Sequence, residues 1–233
     1  MKKYLLIITA VILAISCSKT EQGINVSVMG FVNLVDTSGN NVSDAENVKV
    51  AIAGTSTSVL TNTYGKYEFT QLEPGTAYSF QFSKYGFGDQ SSGSYRFVGP
   101  GEPGLVNTQI MYQVPEIKVI SDSVRYDNTY QAVFVYVTIA GSYAYKFNAY
   151  AKNSPDVSEN NYDRTYYGIG VWGLPSNTIS YQIPMSSSFY PSGTKVYVAL
   201  YFYNYYEQGI FDQSKNTTVY TSGHKVGVLE FTL

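Results

Sequence analysis

The chain has 233 residues, room for one large domain or two small ones, with 44% apolar and only 14% charged residues, a balance that favours a folded core over disorder. A net charge of −2 excludes a nucleic-acid binder that works by neutralising phosphates. One Cys and one His exclude internal disulfides, multi-cysteine metal sites and multi-histidine metal centres. The chain opens with Lys2 and Lys3, then Tyr4 to Ile15, an apolar run broken only by Thr9. A spanning helix needs roughly 20 apolar residues, so this run is too short to cross a membrane. A basic start, a short apolar stretch and small residues at its end make it a secretory signal peptide.

Cys17 ends this segment. Ala14-Ile15-Ser16-Cys17 resembles the lipobox of bacterial lipoproteins, with Ala14 where that family prefers Leu. The resemblance implies cleavage before Cys17, a diacylglycerol on its thiol and usually an acyl group on the new amine. The competing reading is ordinary cleavage near Ser16. The one Cys falling where lipidation needs it favours the anchor. Residues 1–16 are then signal peptide and residues 17–23 a lipidated tether. Loss of the signal leaves 13 basic against 17 acidic residues, too mild a charge to imply a charged partner. The Cys17-Ser18-Lys19 start resembles outer-membrane lipoproteins of Gram-negative glycan degraders. It implies a protein held to the outer membrane by lipid, on the cell surface or, as the alternative, on the periplasmic face.

No stretch of the mature chain shows a 3.6-residue apolar period. Short alternating runs between Gly, Pro, Asn and Ser predict an all-β chain of two consecutive immunoglobulin-like β-sandwich domains, residues 24–112 and 113–233. From Ile24 the alternation predicts a strand that continues past Gly30 to Val35. Asp36 to Asn40 is turn chemistry. Val48, Val50 and Ile52 share one strand face, Tyr67 and Phe69 another, and Tyr78, Phe80 and Phe82 a third. Residues 86–104, rich in Gly and Pro, read as a long loop. Strands resume near Leu105 to Met111, and Tyr112 to Pro115 reads as a linker. The second half predicts strands at Ile117–Ile120, Ala132–Ile139, Tyr145–Ala151, Tyr166–Val171, Thr178–Ile183, Lys195–Asn204 and Val226–Leu233.

Thr61-Asn62-Thr63-Tyr64-Gly65-Lys66-Tyr67-Glu68-Phe69, followed by Leu72-Glu73-Pro74-Gly75, Tyr78 and Tyr85-Gly86, resembles the carboxypeptidase regulatory-like domain, a transthyretin-like sandwich. That resemblance covers residues 30–86 and implies a fold without catalysis. Gly193 to Asn204 resembles the sixth strand of a bacterial fibronectin type III domain, and Asn153-Ser154-Pro155 its turn after the third strand. The pairing behind a lipobox resembles lipoproteins encoded with polysaccharide-uptake systems. It implies a polysaccharide or an outer-membrane transporter complex as partner.

Tyrosine is the compositional outlier, with 24 in the chain and 17 of them in residues 113–233. On strand 195–204, Val196, Val198, Leu200 and Phe202 fall on one face, and Tyr197, Tyr201 and Tyr203 on the other, with Tyr150 a candidate neighbour. Flat rings with a polar tip suit sugar faces, and Trp172 is a further candidate glycan contact. Cross-strand Tyr pairing on an exposed sheet, and burial of the stripe against another surface, together outweigh the glycan platform as readings. His224 reads as exposed in a hairpin or loop. Asp36, Asn40, Asn41 and Asp44 read as turn residues rather than calcium ligands, and Asp156, Glu159 and Asp163 as loop carboxylates rather than an acid–base pair. No nucleotide-binding or hydrolase motif appears, and no cofactor is expected. The expected function is non-catalytic: a glycan- or peptide-binding accessory of a nutrient-uptake system, or a surface module docking another protein through its Tyr face.

Overall fold

The computed structural model describes residues 25–99, 103–140, 144–171, 178–184, 189–214 and 217–233. Cys17, the signal segment and Trp172 lie outside the described residues. The chain is all-β. In the first half the strands are β1 (Val26–Val35), β2 (Lys49–Ile52), β3 (Ser58–Leu60), β4 (Lys66–Leu72), β5 (Ala77–Tyr78), β6 (Phe80–Ser83), β7 (Gln90–Ser91), β8 (Tyr95–Arg96), β9 (Gly104–Leu105) and β10 (Gln109–Tyr112). One sheet has the order β10-β1-β4, with β9 also on β1, and a second the order β3-β2-β6-β7. Period-two alternation sends Val28, Val32 and Leu34 of β1 inward to meet Val50, Ile52, Phe80 and Phe82 from the other sheet. Tyr67 lies over Gly30, where a Cβ would come within 2.4 Å of the tyrosine oxygen. A side chain at position 30 would therefore displace that ring from the core.

The second half contains β11 (Val119–Asp127), β12 (Ala132–Ile139), β13 (Tyr145–Lys152), β14 (Arg164–Val171), β15 (Thr178–Pro184), β16 (Lys195–Asn204), β17 (Ile210–Asp212), β18 (Thr217–Val219) and β19 (His224–Thr232). A three-stranded sheet, β11-β12-β15, faces a four-stranded one, β14-β13-β16-β19, and β17 pairs with β18. Val133, Val135, Val137 and Ile183 of the first sheet pack on Phe147, Ala149, Val196, Val198, Leu200 and Phe202 of the second. The segment 86–104, expected as loop, carries two two-residue strands, β7 and β8, and β9 begins at its last residue. They form because neighbouring strands supply partners, as where Ser91 pairs with Gln81 and Tyr95 with Tyr78. His224, expected in a loop, opens β19 opposite Phe202 and is half-buried.

The halves meet at the end of β16. Asn204 is 1% exposed. Its Nδ2 donates to the carbonyls of Asp36 at 3.1 Å and Gln113 at 3.0 Å, while its Oδ1 accepts from the Tyr206 amide. Gln113 Oε1 accepts from the Thr37 amide, and Gln90 Nε2 donates to Thr221 Oγ1 at 2.7 Å. A Cβ on Gly88 would lie 2.3 Å from the Thr221 carbonyl oxygen, so only glycine permits that backbone approach. Behind this seam Glu207 is buried, each carboxylate oxygen accepting one amide and one hydroxyl from Thr221 and Ser222. Asn204→Ala removes the side-chain donor to the Asp36 and Gln113 carbonyls and the acceptor of the Tyr206 amide; the Asp36 carbonyl keeps the Gly39 amide. The substitution should cost about 2–3 kcal/mol and lower the melting temperature by about 5 °C or more, measured by calorimetry against wild type.

Candidate functional site

The tyrosine stripe on β16 emerges on the face opposite the core, as the alternation requires, but it does not meet solvent. Tyr150, Tyr201 and Tyr203 are buried, Tyr197 is half-buried, and together with Val157, Ala199, Tyr162 and Tyr220 they form a second apolar cluster. The cover is the segment between β13 and β14. Val157, the one aliphatic side chain in the polar stretch 153–163, is fully buried against the rings. Lys152 and Asn161 hold Asp156, and Ser158 and Asn161 exchange backbone hydrogen bonds, so the segment is folded down on itself. Lys225 donates to the Val157 carbonyl while its ammonium lies 6.0 Å from the Tyr201 ring.

Inside the cluster Tyr201 and Tyr203 are stacked, 6.4 Å apart at 20°, and the other rings meet edge to face or tilted. Tyr150 and Tyr201 lie 5.4 Å apart at 88°, and Tyr203 and Tyr220 lie 5.0 Å apart. The hydroxyls form a chain: Asn148 Nδ2 donates to Tyr150 Oη, which lies 2.9 Å from Tyr203 Oη, which donates to Glu159 Oε2. Burial, then the Tyr150 hydroxyl and the Glu159 carboxylate, hold the Tyr203 phenol well above its ordinary pKa. Of the readings open for the stripe, the structure shows burial in a closed box, with the cover coming from a loop of the same half. Tyr150, Tyr201 and Tyr203 are brought together, yet they present no platform to a ligand. The sequence carried one signal for this lid, the lone Val157 and the nearby Tyr162 in a polar loop.

The other candidates separate. Asp36 accepts the amides of Ser38 and Asn40, which holds its carboxyl below the usual range, and Asp44 accepts from Glu46, so both act in turns. Asp156 faces Lys152 and Asn161, Glu159 meets Tyr203, and Asp163 accepts from Tyr190. Each of these carboxylates has its own partner. Among the described residues, no group of three or more His, Cys, Asp or Glu side chains is placed to hold a metal ion. Among the same residues no helix is long and apolar enough to cross a membrane.

What the structure does open is a cleft of about 390 Å³ where the halves join. Its floor is the outer face of β2, β6 and β7, where Ala51, Ser83 and Ser91 are small enough to leave a hollow. Lys49, Gln81 and Asp89 line it, and Ile210 and Thr221 wall it from the second half. Among the described residues the side chains of Lys49, Gln81 and Asp89 make no hydrogen bond or ion pair, so their donors and acceptors are available to a ligand. No sequence signal marks this site, because residues 49 to 91 and 210 to 221 meet only through the seam at Asn204.

No family model and no curated protein matches the chain. Among solved structures it is similar to a candidate carbohydrate-binding protein from Bacteroides uniformis, at 15% identity and a TM-score of 0.39, over 91% of this chain and 100% of that one. It is also similar to DUF3823 family proteins from Bacteroides ovatus (11% identity, TM-score 0.34, 88% and 98% covered) and Parabacteroides merdae (7%, 0.31, 76% and 91%). At these values the likenesses assign neither family nor ligand.

The buried phenols of the box and of the two cores generate an alkaline limit. Burial raises Tyr203, Tyr67 and Tyr190, and pushes Tyr145 up to about 12. A phenol raised in the folded state binds its proton more tightly there than in the unfolded chain, where it titrates near 10. Its stabilisation is whole below about pH 10 and falls as pH climbs toward the raised folded values. Tyrosinate absorbance and circular dichroism, followed together, should change in one cooperative step above pH 10 rather than as separate titrations.

Proposed function

We propose that this protein is a non-catalytic lipoprotein of the outer membrane, anchored through Cys17, that binds a glycan or peptide as an accessory of a nutrient-uptake system. It is built of two sandwich modules meeting near residue 113. The observation that carries the reading is the cleft between the halves, which has unpaired polar groups of both signs, an exposed aliphatic wall, and a seam of buried hydrogen bonds to hold it open. That mixture suits a ligand with many hydrogen-bonding groups. The direction of β1 supports display. Val26 pairs with Leu72 at one end, while Val35 pairs with Tyr112 and leads into the Asp36 turn at the seam. A strand of this length spans about 30 Å, so a tether entering at Val26 leaves the cleft side of the molecule facing away from the lipid. Separate engagement of Asp156, Glu159 and Asp163 supports the non-catalytic part of the reading.

Labelled palmitate should enter the wild type in the native host and not the Cys17→Ala variant; equal labelling would remove the anchor from the proposal. A panel of oligosaccharides and peptides should yield a ligand whose affinity falls about tenfold in Gln81→Ala, Asp89→Ala, from the loss of one or two direct hydrogen bonds. Unchanged affinity in that variant would move the site away from the cleft.

A further inference from the structure

A second surface feature lies on the first half, apart from the cleft. Tyr64 is 84% exposed, at the tip of the turn between β3 and β4. Large exposed rings are ordinarily tolerated on mobile tips, but this turn is held on several sides. Asn62 Oδ1 accepts the amides of Tyr64 and Lys66, each at 3.0 Å, and the Asn62 carbonyl accepts from Gly65. The Gly65 carbonyl in turn accepts from Val32, and the Thr63 carbonyl from Ala45. Gly65 has φ +72°, and a Cβ there would lie 2.1 Å from the Val32 oxygen, so the turn is pressed onto β1 with no slack. The ring is presented to solvent by a fixed backbone.

Beside it is a depression of about 230 Å³, walled by Asn33 on the outer face of β1 and by Asn41, Ser43 and Thr63. All four are exposed, and among the described residues none of their side chains, nor the Tyr64 hydroxyl, makes a hydrogen bond. No charged side chain lines the depression. Two amides and two hydroxyls supply donors and acceptors together, without net charge, next to an open aromatic face.

We infer that this depression is a binding subsite for one pyranose unit of a neutral saccharide. A sugar ring has C–H patches that pack on a flat aromatic face, and hydroxyls that each both donate and accept. A phosphate or carboxylate would meet no cation here. An apolar peptide side chain would cover the two amides without pairing them, at the expense of their hydration. The subsite is distinct from the cleft and takes the ligand class one step further than the reading of the cleft does.

The test uses the full mature chain and isothermal titration with neutral oligomers of glucose, mannose and galactose, and with an oligogalacturonate as the charged control. Tyr64→Phe should bind a neutral oligomer like the wild type, because stacking needs the ring. Tyr64→Ala should lose about tenfold in affinity with an unchanged melting temperature, since an exposed side chain contributes little to the fold. Asn33→Ala should weaken binding in the same direction. Wild-type affinity in Tyr64→Ala overturns the inference, and loss in Gln81→Ala, Asp89→Ala alone does so while leaving the cleft reading intact. If no neutral oligomer binds the wild type, or the oligogalacturonate binds better, this subsite is refuted, and the cleft is judged separately by the peptide panel.

Discussion

One buried amide organises the molecule. Asn204 ends β16, an inner strand of the four-stranded sheet of the second half, and spends both hydrogens of its side chain on carbonyls of the first half. Those carbonyls, on Asp36 and Gln113, belong to the turn after β1 and to the linker after β10, strands that pair with each other. The contact therefore ties an inner strand of one half to a paired set in the other. Gly88 against Thr221 and the Gln90–Thr221 hydrogen bond follow from that placement, and the cleft is the space they leave beside them.

The Tyr box shows how strict alternation creates a second problem once it has solved the first. Placing Val196, Val198, Leu200 and Phe202 in the core obliges Tyr197, Tyr201 and Tyr203 to stand on the outside. A row of rings there would be an exposed apolar patch. The chain resolves it locally, by folding the segment after β13 over the rings and plugging it with Val157. The hydroxyls are then buried too, and the chain from Asn148 through Tyr150 and Tyr203 to Glu159 supplies the partners they need.

The long alternating strands were legible in the amino-acid order. β1, β12 and β16 are found where the pattern predicts them, because burial of one face enforces a period of two. The strands of two or three residues, β3, β7, β8, β17 and β18, were not. Segments such as Gln90–Ser91 have no pattern of their own and are strands only because a neighbour offers its backbone. The facing of the β16 tyrosines was legible and their covering was not, since a lid in a polar loop announces itself through one valine. The cleft and the Tyr64 depression are assembled from residues far apart in the chain, and no local pattern encodes that meeting. In the sequence Tyr64 is only a residue between Asn62 and Gly65. Only the folded surface shows that its ring is held open.

The parallel pairing of β1 with β10 has a mechanical consequence. The chain enters the first half through β1 and leaves it through β10, which lie side by side over Val32↔Gln109 to Val35↔Tyr112 and are continued by the Gln113 amide donating to Val35. A load between the segment before β1 and the second half pulls the start of one strand against the end of the other. Because the strands run the same way, that load acts along their axes, in shear. The inter-strand hydrogen bonds then resist together instead of opening one at a time. The fold thus places a force-bearing clamp on the direct line between any N-terminal attachment and the second half.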